Sequence, residues 1–332
     1  MTLQAPFPWF GGKSRCASIV WERFGDVPSY VEPFFGSGAM LLGRPSEHGT
    51  GGWPTETVND KDGLLANFWR ATRAAPQEVA GWCDWPVNEV DLTARHLWLV
   101  GQIEGLTGRL MGDPDYYDAK VAGWWCWGLC AWIGAGWCSG RGPWAAENGV
   151  LVKSEGGVVR KRPALGNAGR GVVRQLPHLG NAGLGIGRTG VDLLSWFVSL
   201  SDRLRRVRVC CGDWRRVTGE SVLFPNTAVC GVFLDPPYGS GVGCDPDLYR
   251  EESGSVAADV RDWCAEHGAD KRLRIALCGY AGEHELPGWD VVPWKARGGY
   301  GAQGEGAGRE NAGRERIWFS PGCLKAKQGS LF

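Results

Sequence analysis

Four consecutive residues in the second half of the chain have the chemistry to act on the exocyclic amine of a nucleobase. They read Asp235-Pro236-Pro237-Tyr238. Such an amine is a poor nucleophile because its lone pair is delocalised into the ring. A carboxylate and a proline carbonyl are acceptors only, so each could take one N–H and localise that lone pair. The prolines would hold these acceptors rigidly, and Tyr238 would offer a flat face for stacking.

The residues before this motif predict the element that positions it. Residues 229–234 read V-C-G-V-F-L, an apolar run with two β-branched valines and a phenylalanine, which is typical of a buried strand. Proline cannot donate to a strand ladder and disfavours helix at the preceding residue, so the strand should end at Asp235. Open α/β sheets bind their ligands at such strand ends. The alternative is a strand followed by a diproline turn that only packs.

A glycine pair followed by a cation lies near the start of the sequence. Residues 6–13 read P-F-P-W-F-G-G-K. Gly11 and Gly12 would let the backbone approach a ligand closely, because glycine has no side chain to obstruct it. Lys13 could meet a ligand carboxylate beside them. The alternative is an ordinary glycine turn with a solvated lysine.

Two further segments predict strand ends that could hold an adenosyl group. Residues 29–39 read S-Y-V-E-P-F-F-G-S-G-A, which indicates a strand, a glycine loop and a helix start. This arrangement brings backbone N–H groups to a ligand. About 20 residues further on, Val58-Asn59-Asp60 indicates another strand end, where a carboxylate suits ribose hydroxyls. Asp62 fits the N-cap of the next helix.

Together these motifs resemble those of the Dam-like (D12 class) DNA adenine-N6 methyltransferases, which use S-adenosylmethionine (SAM). The resemblance covers the type and the order of the motifs. It implies a class I SAM-dependent α/β fold, with a Rossmann-like mixed sheet, helices on both faces and one antiparallel strand near an edge. It also implies a catalytic domain at 1–74 and 196–332, and an inserted, mostly helical and loop-rich DNA-recognition domain at 75–195.

The resemblance assigns roles to individual residues. Asp235 and the Pro236 carbonyl would accept hydrogen bonds from N6 of an extruded adenine, Pro237 would stiffen the turn, and Tyr238 would stack on the base. The residues expected to bind SAM are Trp9, Gly11, Gly12, Lys13, Glu32, Phe34, Gly36, Gly38, Asp60, Asp213, Trp214 and Asp235. Trp214 stands where the family more usually has phenylalanine.

Charge is balanced over the whole chain but segregated along it. Lys plus Arg and Asp plus Glu both number 36, so a nucleic-acid partner requires a local basic surface. Residues 141–208 contain twelve basic and four acidic residues, a balance of about +8, and 145–190 are rich in glycine. We expect this segment to follow DNA phosphates; the alternative is a solvated loop. The residues expected to contact DNA are Arg141, Lys153, Arg160, Lys161, Arg162, Arg170, Arg174 and Arg188.

Cysteine and tryptophan are both frequent. The twelve cysteines are expected to be reduced cytosolic thiols, because the sequence shows no secretory signal pattern. We expect no metal site, since Cys126, Cys130 and Cys138 lack paired spacing and a nearby histidine. Residues 121–144 contain six tryptophans, for which we expect a packed helix through about residue 133; the alternative is a base-binding surface. Apolar runs are too short for a membrane span.

The predicted reaction is therefore transfer of the SAM methyl group to N6 of adenine in double-stranded DNA, after the base is flipped out of the duplex. The chemistry requires no metal, and a cytoplasmic location is expected. A palindromic recognition sequence would favour a homodimer. Two alternatives remain open. One is an enzyme acting on another amine, cytosine N4 in DNA or guanine N2 in RNA; the other is a DNA-binding regulator whose cofactor site has decayed.

Overall fold

A mixed sheet forms the centre of the protein. The computed structural model describes residues 3–7, 9, 13–45, 54–132, 137–138, 144–147, 150–153, 193–225, 229–237, 255–294 and 313–326. Its strands are β1 Ser29–Glu32, β2 Thr55–Asp60, β3 Trp144–Glu147, β4 Val150–Lys153, β5 Val207–Cys211, β6 Cys230–Leu234, β7 Leu273–Tyr280, β8 Asp290–Pro293 and β9 Glu315–Phe319. Seven of them form one sheet in the order β5-β2-β1-β6-β7-β9-β8, and β3 with β4 forms a separate hairpin.

Within the described part of the large sheet, β9 is the strand that runs against the others. It pairs antiparallel with β7 and with β8, whereas the β5–β2, β2–β1, β1–β6 and β6–β7 pairings are parallel. The expected α/β class with a mixed sheet and one antiparallel strand near an edge is thus confirmed. Parallel strands need long crossovers, and helices occupy these connections.

Ten helices surround the sheet in the described ranges. They are α1 Ala17–Phe24, α2 Ala39–Leu42, α3 Gly63–Ala74, α4 Pro76–Cys83, α5 Glu89–Ile103, α6 Leu106–Gly112, α7 Ala119–Ala131, α8 Leu193–Leu204, α9 Glu220–Leu223 and α10 Val256–His267. Asp62 caps α3 as expected, since its side chain accepts a hydrogen bond of 2.8 Å from the Leu64 N–H. None of these helices is long and apolar enough to cross a membrane.

The apolar run of β6 is explained by burial on both faces. Phe233 packs into the core that contains α1, α3 and α8, whereas Val232 and Leu234 pack into the core that contains α10. Successive side chains of a strand point to opposite faces, so a strand covered on both sides must be apolar throughout. This is why the sequence shows a continuous rather than an alternating apolar pattern here.

The tryptophan-rich helix α7 belongs to the larger core. Trp125 and Trp127 are buried, and the Trp127 indole donates a hydrogen bond of 2.9 Å to the Trp85 carbonyl. The buried residues of α4 and α7 share one apolar cluster with Phe7 and with α1 to α3. The two domains assigned at 1–74 with 196–332 and at 75–195 stay a prediction, since helices on both sides of residue 75 share this cluster.

A buried ion network ties α8 to the sheet. The Glu56 carboxylate on β2 accepts hydrogen bonds from Arg203 at 2.7 and 2.9 Å and from Arg44 at 3.1 Å. The two guanidinium groups also donate to backbone carbonyls, Arg203 to Leu41 and Arg44 to Val27. Charges that are buried need such pairing, because desolvation of an unpaired ion is costly. The network therefore fixes α8 against β2, the strand that ends in Asp60.

Candidate active site

The chemically competent side chains meet at one edge of the sheet. Glu32 and Asp60 are the last residues of the parallel strands β1 and β2, and Asp235 follows the last residue of β6. Because β9 runs in the opposite direction, its first residue, Glu315, lies at this same edge, paired with Tyr280 at the end of β7. Strand direction alone thus gathers four carboxylates from distant parts of the sequence.

Lys13 is buried between two of these carboxylates. Its Nζ lies 3.0 Å from Oδ1 of Asp235 and 3.7 Å from Oε2 of Glu315. The Trp294 ring covers the ammonium, with 5.1 Å between Nζ and the ring centroid. Burial alone would lower the pKa of Lys13, but the negative charges of Asp235 and Glu315 raise that pKa well above its usual value. Lys13 is therefore a fixed cation at neutral pH.

Two thiols lie beside this ion cluster and are neutral. Burial raises the pKa of Cys16 to about 12 and that of Cys278 well above its ordinary value, although Lys13 opposes the shift in both. Only a thiolate is an effective nucleophile or metal ligand. The two cysteines thus contribute packing at this edge rather than covalent chemistry.

The glycine loop after β1 is held by Asp60. Gly36 and Gly38 have φ of +50° and +67°, in the left-handed region that favours glycine. The Gly36 N–H donates to Oδ2 of Asp60 at 3.0 Å, and the Asp62 N–H donates to Oδ1 at 2.9 Å. A Cβ on Gly36 would lie 2.6 Å from Nε1 of Trp9. The hydrogen bond from Gly36 to Asp60 therefore fixes the shape of the loop, and Trp9 can pack against Gly36 only because glycine has no side chain.

Asn59 joins three loops at this edge and was not among the predicted site residues. Its side-chain Nδ2 donates to the Pro33 carbonyl at 3.1 Å and to the Gly212 carbonyl at 3.0 Å. The backbone carbonyl of Asn59 accepts from the Phe35 N–H at 2.9 Å. These bonds connect the turns after β1 and β5 to the end of β2. The only sequence signal was a polar residue next to Asp60 at a strand end.

Glu32 is almost completely buried, and its pKa differs from that of a solvent-exposed carboxyl group. Its Oε2 accepts a hydrogen bond of 2.8 Å from the Tyr30 hydroxyl. Burial raises the pKa of Glu32 well above its ordinary value, and the charges of Asp235 and Asp60 add to this effect. Hydrogen bonds from the Tyr30 hydroxyl and the Leu41 N–H offset the shift in part. A cation placed at this edge would favour the ionised form of Glu32.

An aromatic pair lines the neighbouring part of the edge. The rings of Phe34 and Trp214 have centroids 6.2 Å apart and planes inclined by 32°. Trp214 is buried, and its indole N–H has no hydrogen-bond partner among the described residues. Asp213 is exposed and caps the 3-10 turn at Trp214–Val217, accepting from the Arg215 N–H at 2.9 Å. The pair offers apolar ring surface together with one unsatisfied donor.

The predicted residues fall into three groups: those at this edge, those outside the described part of the structure, and Lys153, which lies in the separate hairpin. Pro236 is buried, Pro237 is half-buried, and both follow Asp235 in the same loop. Several predicted residues lie outside the described part of the structure: Gly11 and Gly12, which were predicted to bind SAM; Tyr238, which was predicted to be catalytic; and Arg141, Arg160, Lys161, Arg162, Arg170, Arg174 and Arg188, which were predicted to contact DNA. Lys153 ends β4, opposite Trp144.

Comparison with known proteins adds no family assignment. No protein-family model matches the chain, and a search of curated proteins finds no significant match. Within the ranges that the structure describes, no group of three or more His, Cys, Asp or Glu side chains is placed to hold a metal ion. The site itself consists of a carboxylate at a strand end, held by a buried ammonium, beside a glycine loop and an aromatic pair.

Proposed function

We propose that the protein is a SAM-dependent DNA methyltransferase that modifies N6 of adenine in double-stranded DNA. The observation that carries this proposal is the position of Asp235. Its half-buried carboxylate follows the central strand β6, next to β1 with its glycine loop, and one of its oxygens is held by Lys13 at 3.0 Å. This places an oriented acceptor where open α/β sheets bind ligands.

The residues at the edge fit an adenosyl cofactor. The buried indole N–H of Trp214 lacks a partner within the described chain, and a heterocycle nitrogen against the Phe34–Trp214 pair could accept from it. A carboxylate offers about four acceptor positions, so ribose hydroxyls can share Asp60 with the backbone groups that it already binds. The carboxyl group of Glu32, at the end of β1, has the charge that would complement the cationic amino group of the methionine part when ionised.

SAM, when bound, would supply an electrophilic methyl group on a sulfonium. The lone pair of the amine would form the new N–C bond as the S–C bond breaks, the S–C electron pair would stay on sulfur, and the amine proton would leave to water. The protein's part is to orient the amine. Lys13 occupies Oδ1 of Asp235, so Oδ2 and the Pro236 carbonyl are the acceptors that would take the two N–H bonds. Positioning of this kind can account for much of an enzyme's rate.

Double-stranded DNA is the proposed partner because of the basic segment that starts at residue 141. Most of the segment, including seven of the eight residues predicted to contact DNA, lies outside the described residues, so its support comes from charge. Flipping the target base costs a few kcal/mol, which phosphate contacts would offset. A homodimer would follow if the recognition sequence is palindromic.

The test is incubation of the purified protein with tritiated SAM and duplex DNA of random sequence, followed by nucleoside analysis. We expect N6-methyladenine from the wild type and no label above background from Asp235→Ala. Asp262→Ala, at an exposed side chain, is the matched control and should retain full activity. Label on cytosine N4, or on guanine N2 with an RNA substrate, would overturn the adenine assignment, and SAM binding without turnover on any nucleic acid would favour a regulator.

A further inference from the structure

The ion cluster around Lys13 contains a second carboxylate, Glu315, that takes no direct part in the proposed reaction. Glu315 is 5% exposed and belongs to β9, whereas Lys13 precedes α1 and Asp235 follows β6. Lys13 has two ionic partners: its Nζ lies 3.0 Å from a carboxylate oxygen of Asp235 and 3.7 Å from one of Glu315. Nothing in the local sequence distinguishes Glu315, which stands between two arginines.

We propose that Glu315 is a positioning residue, which holds the Lys13 ammonium against Oδ1 of Asp235 and so leaves Oδ2 to the amine of the target base. The inference rests on the proposed function for its catalytic meaning. It adds a residue from the reversed strand to an amine-binding site that otherwise consists of Lys13, Asp235 and Pro236.

The geometry explains why a second carboxylate is needed. An ammonium has three donors, and a single contact with Asp235 would leave it free to swing on a flexible four-carbon chain. Glu315 restrains this motion from the side of β9, and Trp294 closes a further side with its ring. Trp294 is itself anchored to β9, because its backbone N–H donates to the Glu315 carbonyl at 3.2 Å.

Charge balance points the same way. One cation facing one anion would withdraw electron density from Asp235, the group that has to accept from a weakly acidic amine. With Glu315 present, the attraction of the ammonium is shared between two carboxylates, so Asp235 keeps more of its acceptor strength. The low accessibility of Lys13 and Glu315 makes this sharing significant, since solvent screening is weak at buried sites.

Kinetics separate a positioning role from a purely structural one. We expect Glu315→Gln to lower kcat by about 10- to 100-fold, as misplacement of a reacting group by about 1 Å does, while the KM values for SAM and DNA stay within twofold. Glu315→Asp, which keeps the charge, should recover part of the loss. Glu285→Gln, on an exposed residue, is the matched control and should behave as wild type.

A second readout does not require activity. The chain has nine lysines, so the Lys13 side-chain signal can be assigned in lysine-labelled protein by comparison with Lys13→Arg. The groups that face Lys13 are Asp235, Glu315, Cys278 and Cys16. Removing the charge of Glu315 should move the Lys13 titration to lower pH and broaden its signal, whereas Glu285→Gln should leave both unchanged.

The outcomes are distinguishable. An active wild type with an unaffected Glu315→Gln variant, or an unshifted Lys13 titration in that variant, overturns the role of Glu315 and leaves the proposed function standing. A wild type that methylates no nucleic acid overturns the proposed function, while the Lys13 titration still decides whether Glu315 holds the ammonium. If Glu315→Gln does not fold, Glu315→Asp carries the test, and an Asp variant with wild-type kcat and Lys13 signal contradicts the proposal.

Discussion

The glycine loop offers the sharpest test of the local structure, through the substitution Gly36→Ala. Gly36 has φ of +50°, and an added Cβ would lie 2.6 Å from Nε1 and 3.1 Å from Cδ1 of Trp9. The indole cannot easily move away, since it packs against Phe7 and Trp125 with ring centroids 5.8 and 6.1 Å distant. Gly105 is a matched control: its φ is +80°, and an added Cβ would meet no atom of the described chain within 4 Å.

The expected magnitudes follow from these two positions. A side chain in the left-handed region costs about 1–2 kcal/mol, and this applies to both substitutions. Inserting a carbon into a packed contact costs about a further 1–3 kcal/mol, and this applies to Gly36 alone. We therefore expect Gly36→Ala to lower the free energy of unfolding by about 2–5 kcal/mol and Gly105→Ala by about 1–2 kcal/mol.

Urea unfolding at pH 7 measures both losses, and a double-mutant cycle separates their causes. In a Trp9→Ala background the clash is gone, so the cost of Gly36→Ala should fall to that of Gly105→Ala. The cost of Gly105→Ala should be the same in both backgrounds. Equal costs for the two glycines in the wild-type background, or a Gly36→Ala cost that does not change when Trp9 is removed, would refute the reasoning.

Two further expectations concern buried carboxylates. The pKa of Glu32 is higher in the folded state than in the unfolded chain, so at intermediate pH the folded protein keeps a proton that the unfolded chain releases. The contribution of protonated Glu32 to the free energy of unfolding is therefore lost as the pH rises from about 4.5 towards the folded pKa. Glu32→Gln should therefore gain stability over wild type in that window, by up to about 1.4 kcal/mol per pH unit, and a pH-independent difference in urea unfolding would contradict this. Glu56→Gln should cost about 3–5 kcal/mol because Arg44 and Arg203 lose their shared partner. Asp202→Asn, in an exposed ion pair with Arg205, should cost about 0–1 kcal/mol, and similar losses for both variants would argue against the buried network.

The elements that the sequence predicts well are those with local signals. The apolar run before Asp235 and the two prolines after it are sufficient to predict the end of β6. Likewise, Asp62 is recognisable as a helix cap from its neighbours, because a capping side chain bonds a backbone group two residues away.

Other parts of the site depend on pairings between distant residues. Glu315 reaches the carboxyl edge only because β9 is reversed, and no pattern in residues 296–316 specifies strand direction. Trp294 contacts Lys13 for the same topological reason. Asn59 is identifiable as polar from the sequence, but its two carbonyl partners belong to turns that only the folded sheet brings together. The sharing of one core by α4, α7 and the sheet is likewise a property of packing and not of composition.

The reversed strand also has a consequence for biosynthesis. β9 lies inside the sheet, between β7 and β8, and it contributes Glu315 to the ion cluster around Lys13, a residue far from it in the sequence. A chain cut short by premature termination before residue 315 would lack an interior strand as well as one of the two counter-ions of Lys13. Under the proposed function, a chain truncated in this way is expected to lose methyl transfer, because the sheet that carries Asp235 would be incomplete.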